Sequence, residues 1–207
     1  MIEQRSDAWF AQRAGCLTAS RVGDMMAKTK SGYSASRANY AAQLIAERLT
    51  GTAAASFSNA AMQHGIDTEA EARNAYEFLH DVTVVEAPFV PHPTIAWSGA
   101  SPDGFVGVEG LVEIKCPNTA THINTLRGGS IDQKYIYQMQ WQMACTDMNW
   151  CDFASYDPRL PIEMQLHVRR VDRDDDLIAE IEAEAVAFLD EIAATVADLE
   201  NTYRKAA

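Results

Sequence analysis

Basic side chains are scarce in this 207-residue chain: 17 Lys and Arg stand against 29 Asp and Glu, a net charge of −12. A uniformly acidic surface repels nucleic acid, so the total by itself argues against DNA binding. Paired cysteines are missing too. Cys16, Cys116, Cys145 and Cys151 form no CxxC unit, and the five histidines lack ligand spacing. Zinc knuckles, zinc fingers and the common iron–sulfur patterns are thereby disfavoured, and reduced, buried thiols are expected. No run approaches the roughly 18 apolar residues of a membrane span, and MIEQRSDAWF has no signal-peptide core. With 47% hydrophobic and 22% charged residues, the composition also excludes disorder. The expectation is one cytoplasmic globular domain, residues 1–207, without membrane contact.

The charge is segregated, which weakens the argument from the total. Residues 1–48 carry seven Lys and Arg against four Asp and Glu, whereas residues 174–200 carry ten acids and no base. A basic N-terminal face could bind DNA while an acidic tail, read as a solvated helix face, points elsewhere.

The hydrophobic period divides the chain. Ser6 starts a short helix through Trp9 and Arg13, Thr18 a second through Val22 and Met26, and Ser36 a third to Leu49, ended by Gly51. Residues 28–34 read as a polar loop and 52–61 as a mobile connection. A further helix begins at Asp67. The pattern then turns to short strands at Val82–Val85, Phe89–Val90, Ile95–Ser98, Gly104–Val108 and Leu111–Lys115. A helix over Lys134–Cys145, strands at Trp150–Tyr156 and Ile162–Val171, and a long helix over Asp174–Tyr203 complete the chain. The order predicts an α/β fold, a central mixed sheet flanked by helices.

The chemistry lies in Ser101-Pro102-Asp103-Gly104 and, nine residues on, Glu113-Ile114-Lys115. Alternation puts Glu113 and Lys115 on one face of a strand that is otherwise apolar. Unpaired charges beside a core are costly, and a metal ion is one compensation. Asp103 reaches the same point across a strand spacing. Two carboxylates plus a strand carbonyl make an oxygen-only set suited to Mg²⁺ or Mn²⁺. Taken alone, Asp103-Gly104 would read as a hairpin turn; Glu113 and Lys115 reverse that.

At these residues the chain resembles the PD-(D/E)XK nucleases, with a restriction-endonuclease-like fold, and more specifically the phage lambda exonuclease family. Further blocks in order are Trp9 with Arg13-Ala14-Gly15 and Thr18-Ala19-Ser20; Gly65 with Glu69 and Ala72-Arg73; Tyr135 with Gln138-x-Gln140; and Tyr156-Asp157-Pro158-Arg159. The resemblance implies an exonuclease that uses two Mg²⁺ ions per site. It would degrade one strand of linear duplex DNA from a 5′-phosphorylated end to mononucleotides, leaving 3′ tails for recombination. Asp103, Glu113 and Ile114 would hold one ion, Asp103 with Glu69 a second, and Lys115 would orient or deprotonate the attacking water. Arg13, Ser20, Ser101 and Gln138 match positions of a pocket for the 5′-terminal phosphate, and Tyr135 is a further DNA-contact candidate. His64 neighbours Gly65 and could approach the metal, although a structural or surface histidine is the favoured reading. The resemblance further implies a ring-shaped homotrimer and a phage single-strand annealing protein as partner. A PD-(D/E)XK endonuclease of restriction or repair type and a non-catalytic DNA-end-binding module stay open as other readings.

Overall fold

The first helix shows how local chemistry sets the element boundaries. Ser6 is extended and its hydroxyl accepts from the Trp9 N–H, which caps α1 (Asp7–Arg13) and leaves Trp9 buried. The computed structural model describes residues 4–30, 32–54 and 60–204. After α1 come β1 (Leu17–Thr18), a 3₁₀ turn (Ala19–Arg21), α2 (Val22–Met26), the hairpin β2 (Lys28–Thr29) and β3 (Gly32–Tyr33), and α3 (Ala35–Thr50). Then follow α4 (Ala60–His80), β4 (Val84–Val85), β5 (Val90–Pro91), β6 (Ser98–Ala100), β7 (Gly104–Val106) and β8 (Gly110–Lys115). The chain continues through α5 (Thr119–Leu126), α6 (Gln133–Thr146), β9 (Trp150–Tyr156), β10 (Leu166–Asp172) and α7 (Asp175–Tyr203).

The fold is α/β, as the pattern predicts. Its main sheet has the order β10-β9-β8-β7-β4, with β8 and β9 parallel and the other pairs antiparallel. The parallel pair requires a crossover, and α5 and α6 supply it. A smaller sheet, β1-β6-β5, sits beside α6. Alternation along β8 sorts its side chains between two cores. Val112 and Ile114 pack with Ala72 and Tyr76 of α4, whereas Leu111 packs with Met139 and Met143 of α6. Glu113 and Lys115 therefore face the α6 side. A third core joins α2, α3, α6 and α7 around Trp141 and Phe188.

Several boundaries differ from the sequence reading. Ser34, not Ser36, caps α3 through its hydroxyl, while Gly51 ends it in the left-handed region at φ +67°, as expected. Thr18 makes no capping bond, because the chain enters α2 through the 3₁₀ turn. The polar segment 28–34 includes a hairpin whose short ladder pairs Lys28 with Tyr33. Helix α4 begins at Ala60 rather than Asp67, since alanine favours helix even where it gives no amphipathic signal. Of the expected connection 52–61, residues 55–59 lie outside the described residues, as does the side chain of His64. Helix α5 was hidden by its Thr, Asn and His content; Asn118 caps it by accepting from the Thr121 N–H at 2.9 Å. Ile162–Met164 is a 3₁₀ turn, so the last strand starts at Leu166. Ile95–Trp97 stays outside β6, with Trp97 at φ +59°.

Candidate active site

Asp103 stands immediately before β7, where Gly104 lets the chain pass: a Cβ there would run into Val84. Its Oδ2 accepts the Ile114 N–H at 2.6 Å, which ties the carboxylate to the strand bearing Glu113 and Lys115. Burial first, and the Glu113 charge second, push the Asp103 carboxyl up to about 8, with Lys115 acting in the opposite direction. Glu113 is 1% exposed. It survives there because donors surround it. Lys115 Nζ and Gln138 Nε2 donate to its Oε1, the latter at 2.6 Å, and Gln142 Nε2 donates to its Oε2 at 2.6 Å. Gln138 and Gln142 are one turn apart on α6, so their side chains stand on one face. Burial disfavours the Lys115 charge, but Glu113 and Asp103 outweigh it and raise its pKa. In this arrangement Lys115 is an ammonium and donates.

Glu69, on α4, is shared by two arginines. Arg73 Nη2 reaches its Oε1 at 3.3 Å, and Arg5 contacts Oε2. The Arg73 nitrogen also approaches the Asp103 carbonyl at 3.5 Å, so Glu69 borders the Asp103 loop. Arg13 lies over the Trp9 ring at 3.7 Å, and Trp9 Nε1 donates to Ser101 Oγ at 3.2 Å. Burial lowers the Arg13 pKa to about 10, which leaves it charged at neutral pH. Ser20 is exposed in the 3₁₀ turn after β1. The Tyr135 ring lies 5.3 Å from Lys115 Nζ and packs on Phe153 at 5.7 Å.

One cleft of about 1400 Å³ is lined by all ten residues expected from the sequence: Arg13, Ser20, Glu69, Ser101, Asp103, Glu113, Ile114, Lys115, Tyr135 and Gln138. Their bonding within it is uneven. Asp103, Glu113 and Lys115 converge; Gln138 is bonded to Glu113 and so belongs to the carboxylate as much as to any phosphate pocket. A smaller cavity of about 390 Å³ lies by α4, β7 and β9, where buried Asp152 is held by Tyr76 at 2.8 Å and by Arg170 at 2.8 and 3.0 Å. It contains none of the expected residues. The sequence reading missed Gln142, although its spacing of four from Gln138 was a visible signal. It also missed Arg5, whose pairing with Glu69 is fixed only by the fold.

Among the described residues, no three His, Cys, Asp or Glu side chains form a ready-made metal cluster. The donor set still fits Mg²⁺. That ion keeps several waters and takes one or two carboxylates together with substrate phosphates, rather than an all-protein cage. Asp103 and Glu113 supply the carboxylates and Ile114 a carbonyl.

A family model described as YqaJ-like viral recombinase domain matches residues 8–149. The crystal structure of an alkaline exonuclease from Laribacter hongkongensis is 53% identical, with a TM-score of 0.90, over 98% of this chain and 100% of that one. The same protein in complex with dAMP gives a TM-score of 0.91 at 53% identity and the same coverage. A phage-related exonuclease from Haemophilus somnus shares the fold at 13% identity and a TM-score of 0.66, over 87% of this chain and 96% of that one. No curated protein sequence matches the chain. By the match over residues 8–149 and by the whole-length likeness to the Laribacter enzyme, the chain belongs to the YqaJ-like viral recombinase family, as a nuclease of the lambda exonuclease type.

Proposed function

We propose that the protein is a Mg²⁺-dependent 5′-to-3′ exonuclease acting on one strand of linear duplex DNA. It releases mononucleotides and leaves 3′ single-stranded tails. The observation that carries this reading is the convergence of Asp103, Glu113 and Lys115 in a cleft that also holds Arg13, Ser20 and Ser101. The complex of the 53% identical Laribacter exonuclease with dAMP, a mononucleotide, supports it.

Asp103, Glu113 and the Ile114 carbonyl would hold Mg²⁺, with Mn²⁺ a substitute of the same hardness. Glu69 stands beside Asp103 for a second ion, provided Arg5 and Arg73 yield it. Bound Mg²⁺ supplies Lewis-acid polarisation of the scissile phosphate and lowers the pKa of water. Gln138 and Gln142 hold the Glu113 carboxylate in one orientation. Lys115, as an ammonium, donates to anionic oxygen; it orients the attacking water and stabilises charge gathering on the phosphate. Arg13, with its planar fork, and the Ser20 and Ser101 hydroxyls bind the 5′-terminal phosphate and set which bond is cut. In this reading three chains form a ring around the DNA, and a phage single-strand annealing protein receives the tail.

The test uses uniformly labelled duplex DNA, either circular or linear with 5′-phosphate or 5′-hydroxyl ends, with and without Mg²⁺. Linear 5′-phosphorylated duplex should be degraded to mononucleotides only with Mg²⁺, and the 5′-hydroxyl duplex about tenfold or more slowly, the weight of one charge-assisted hydrogen bond. Cleavage of the circle would replace this reading by an endonuclease, and DNA binding without cleavage by a non-catalytic end-binding module.

A further inference from the structure

The run Tyr156-Asp157-Pro158-Arg159 stands apart from the carboxylates, yet its arginine lines the same cleft. The turn that carries it is braced from several sides. Asp157, fully buried just past β9, accepts on one oxygen from the Arg159 backbone N–H at 3.0 Å and from Arg159 Nε at 2.6 Å. The Asp157 N–H donates to the Gln165 carbonyl at 2.9 Å. Gln165 Nε2 in turn donates to the carbonyls of Pro158 and Leu160 at 3.0 and 2.9 Å. Burial works against the Asp157 charge, but its bonds to Arg159 outweigh that and lower its pKa to about 2. The pair is ionised at neutral pH.

Arg159 is also tied to the catalytic strand's exit. Its Nη2 donates to the Pro117 carbonyl at 3.0 Å, two residues beyond Lys115. A guanidinium carries five N–H donors. Nε–H and one on Nη2 are engaged by these bonds, and among the described residues three remain on a side chain that is 47% exposed in the cleft. Arg5 and Lys115, which line the cleft too, lie against Glu69 and Glu113. Asp157 holds the Arg159 guanidinium through Nε, and the Pro117 carbonyl holds it through one Nη2 hydrogen, so two bonds fix its plane. A planar fork held in place in this way is the form in which arginine recognises phosphate.

Arg13, Ser20 and Ser101 come from α1, the turn after β1 and the loop after β6, whereas Arg159 comes from the turn after β9. The geometry points to Arg159 as a binding site for an internal phosphodiester of the DNA, separate from the group around Arg13. This rests on the nuclease reading of the cleft. A strand that starts at Arg13 and passes Asp103 and Glu113 runs on past Lys115 and Pro117, and brings a later phosphate to Arg159.

The test is binding without turnover. Anisotropy with labelled 5′-phosphorylated duplex, in Ca²⁺ instead of Mg²⁺, is measured for the natural protein, Arg159→Gln and Arg159→Lys. Each of the second to sixth linkages of the strand is replaced in turn by an uncharged methylphosphonate. One linkage should weaken binding by the natural protein about tenfold and have little further effect on Arg159→Gln. Arg159→Gln should also lower the slope of log affinity against log salt by about 0.9, one phosphate contact, and Arg159→Lys should keep that slope. Matching thermal melts of the three proteins exclude unfolding as the cause, and the methylphosphonate series on the natural protein does not depend on a variant folding. The proposal fails if no linkage is coupled to Arg159, or if the salt slope is unchanged in Arg159→Gln. Failure of the nuclease reading shows separately: the natural protein would leave unmodified 5′-phosphorylated duplex intact in Mg²⁺ while the coupling is still measured.

Discussion

Glu113 shows what a single buried carboxylate requires. Three side-chain donors meet it, and one of them, Gln142, leaves its own Oε1 buried without a partner. An orphaned acceptor is costly, so the amide is retained for its N–H. Gln142→Met keeps the volume and removes both the donor and the orphan. Stability should change by less than about 1 kcal/mol, because the two effects oppose each other. Mn²⁺ affinity, measured by calorimetry without DNA, should fall several-fold; an unchanged affinity would mean that Gln142 only packs. Lys115→Ala should abolish cleavage yet bind Mn²⁺ at least as well as the natural protein, since an ammonium is not a ligand. Asp103→Asn should lose both. Retained digestion by Lys115→Ala at neutral pH would remove the lysine from the reaction.

At the scale of elements, the long terminal helix has two distinct jobs. Its apolar stripe buries Ile181, Ala185, Phe188 and Ile192 against α2, α3 and α6. Phe188 also stacks on Tyr40 at 5.8 Å, and Phe188→Ala should cost about 3–5 kcal/mol in urea unfolding. Its acidic side is not merely solvated, as the sequence reading had it. Arg37, itself 5% exposed, donates to both oxygens of Glu191 at 2.8 and 3.1 Å, and Lys28 pairs with Glu184 at 3.4 Å. Part of the N-terminal positive excess is therefore neutralised inside the fold instead of forming a DNA-binding face. The same helix holds His92, whose ring stacks on Trp141 at 4.8 Å and meets Glu182 at 3.1 Å. Burial lowers the His92 pKa, with Glu182 opposing, so the folded ring resists protonation. The unfolded chain protonates it near pH 6.5, and below that pH the unfolded state binds more protons. Stability should fall as pH drops through that range, and His92→Gln should lose less between pH 7.5 and 5.5 in denaturant titrations.

For the molecule as a whole, the net charge of −12 and the 29 acids have to be reconciled with the polyanionic substrate proposed above. The cleft lining is far less acidic than the whole, with Arg5, Arg13, Lys115, Lys134 and Arg159 against Glu69, Asp103, Glu113 and Asp132. A locally balanced lining repels a polyanion less than the total charge implies. Among the described residues, no helix is long and apolar enough to cross a membrane. If three chains form the ring proposed above, light scattering should give three times 22.8 kDa. Digestion should then continue on one DNA molecule through many turnovers. A monomer with distributive digestion would reject the ring and leave the nuclease reading in place.

What the sequence determined alone was whatever depends on short-range pattern. Period-2 alternation put Glu113 and Lys115 on one face of a strand, period 3.6 marked the stripe of α7, and the ordered motif blocks pointed to the family. Cooperative elements without a pattern escaped it: α5 has only Ala120 and Leu126 as strong helix formers among its eight residues, and the first turns of α4 carry no amphipathic stripe. Tertiary structure alone decided the partners. That Gln142 meets Glu113 depends on the crossover laying α6 against β8, residues 29 apart in the chain. That Arg37 meets Glu191 depends on α3 packing on α7, 154 residues away. Such contacts form because burying the apolar faces fixes where elements lie, and the polar groups carried with them must then find donors or acceptors at that place.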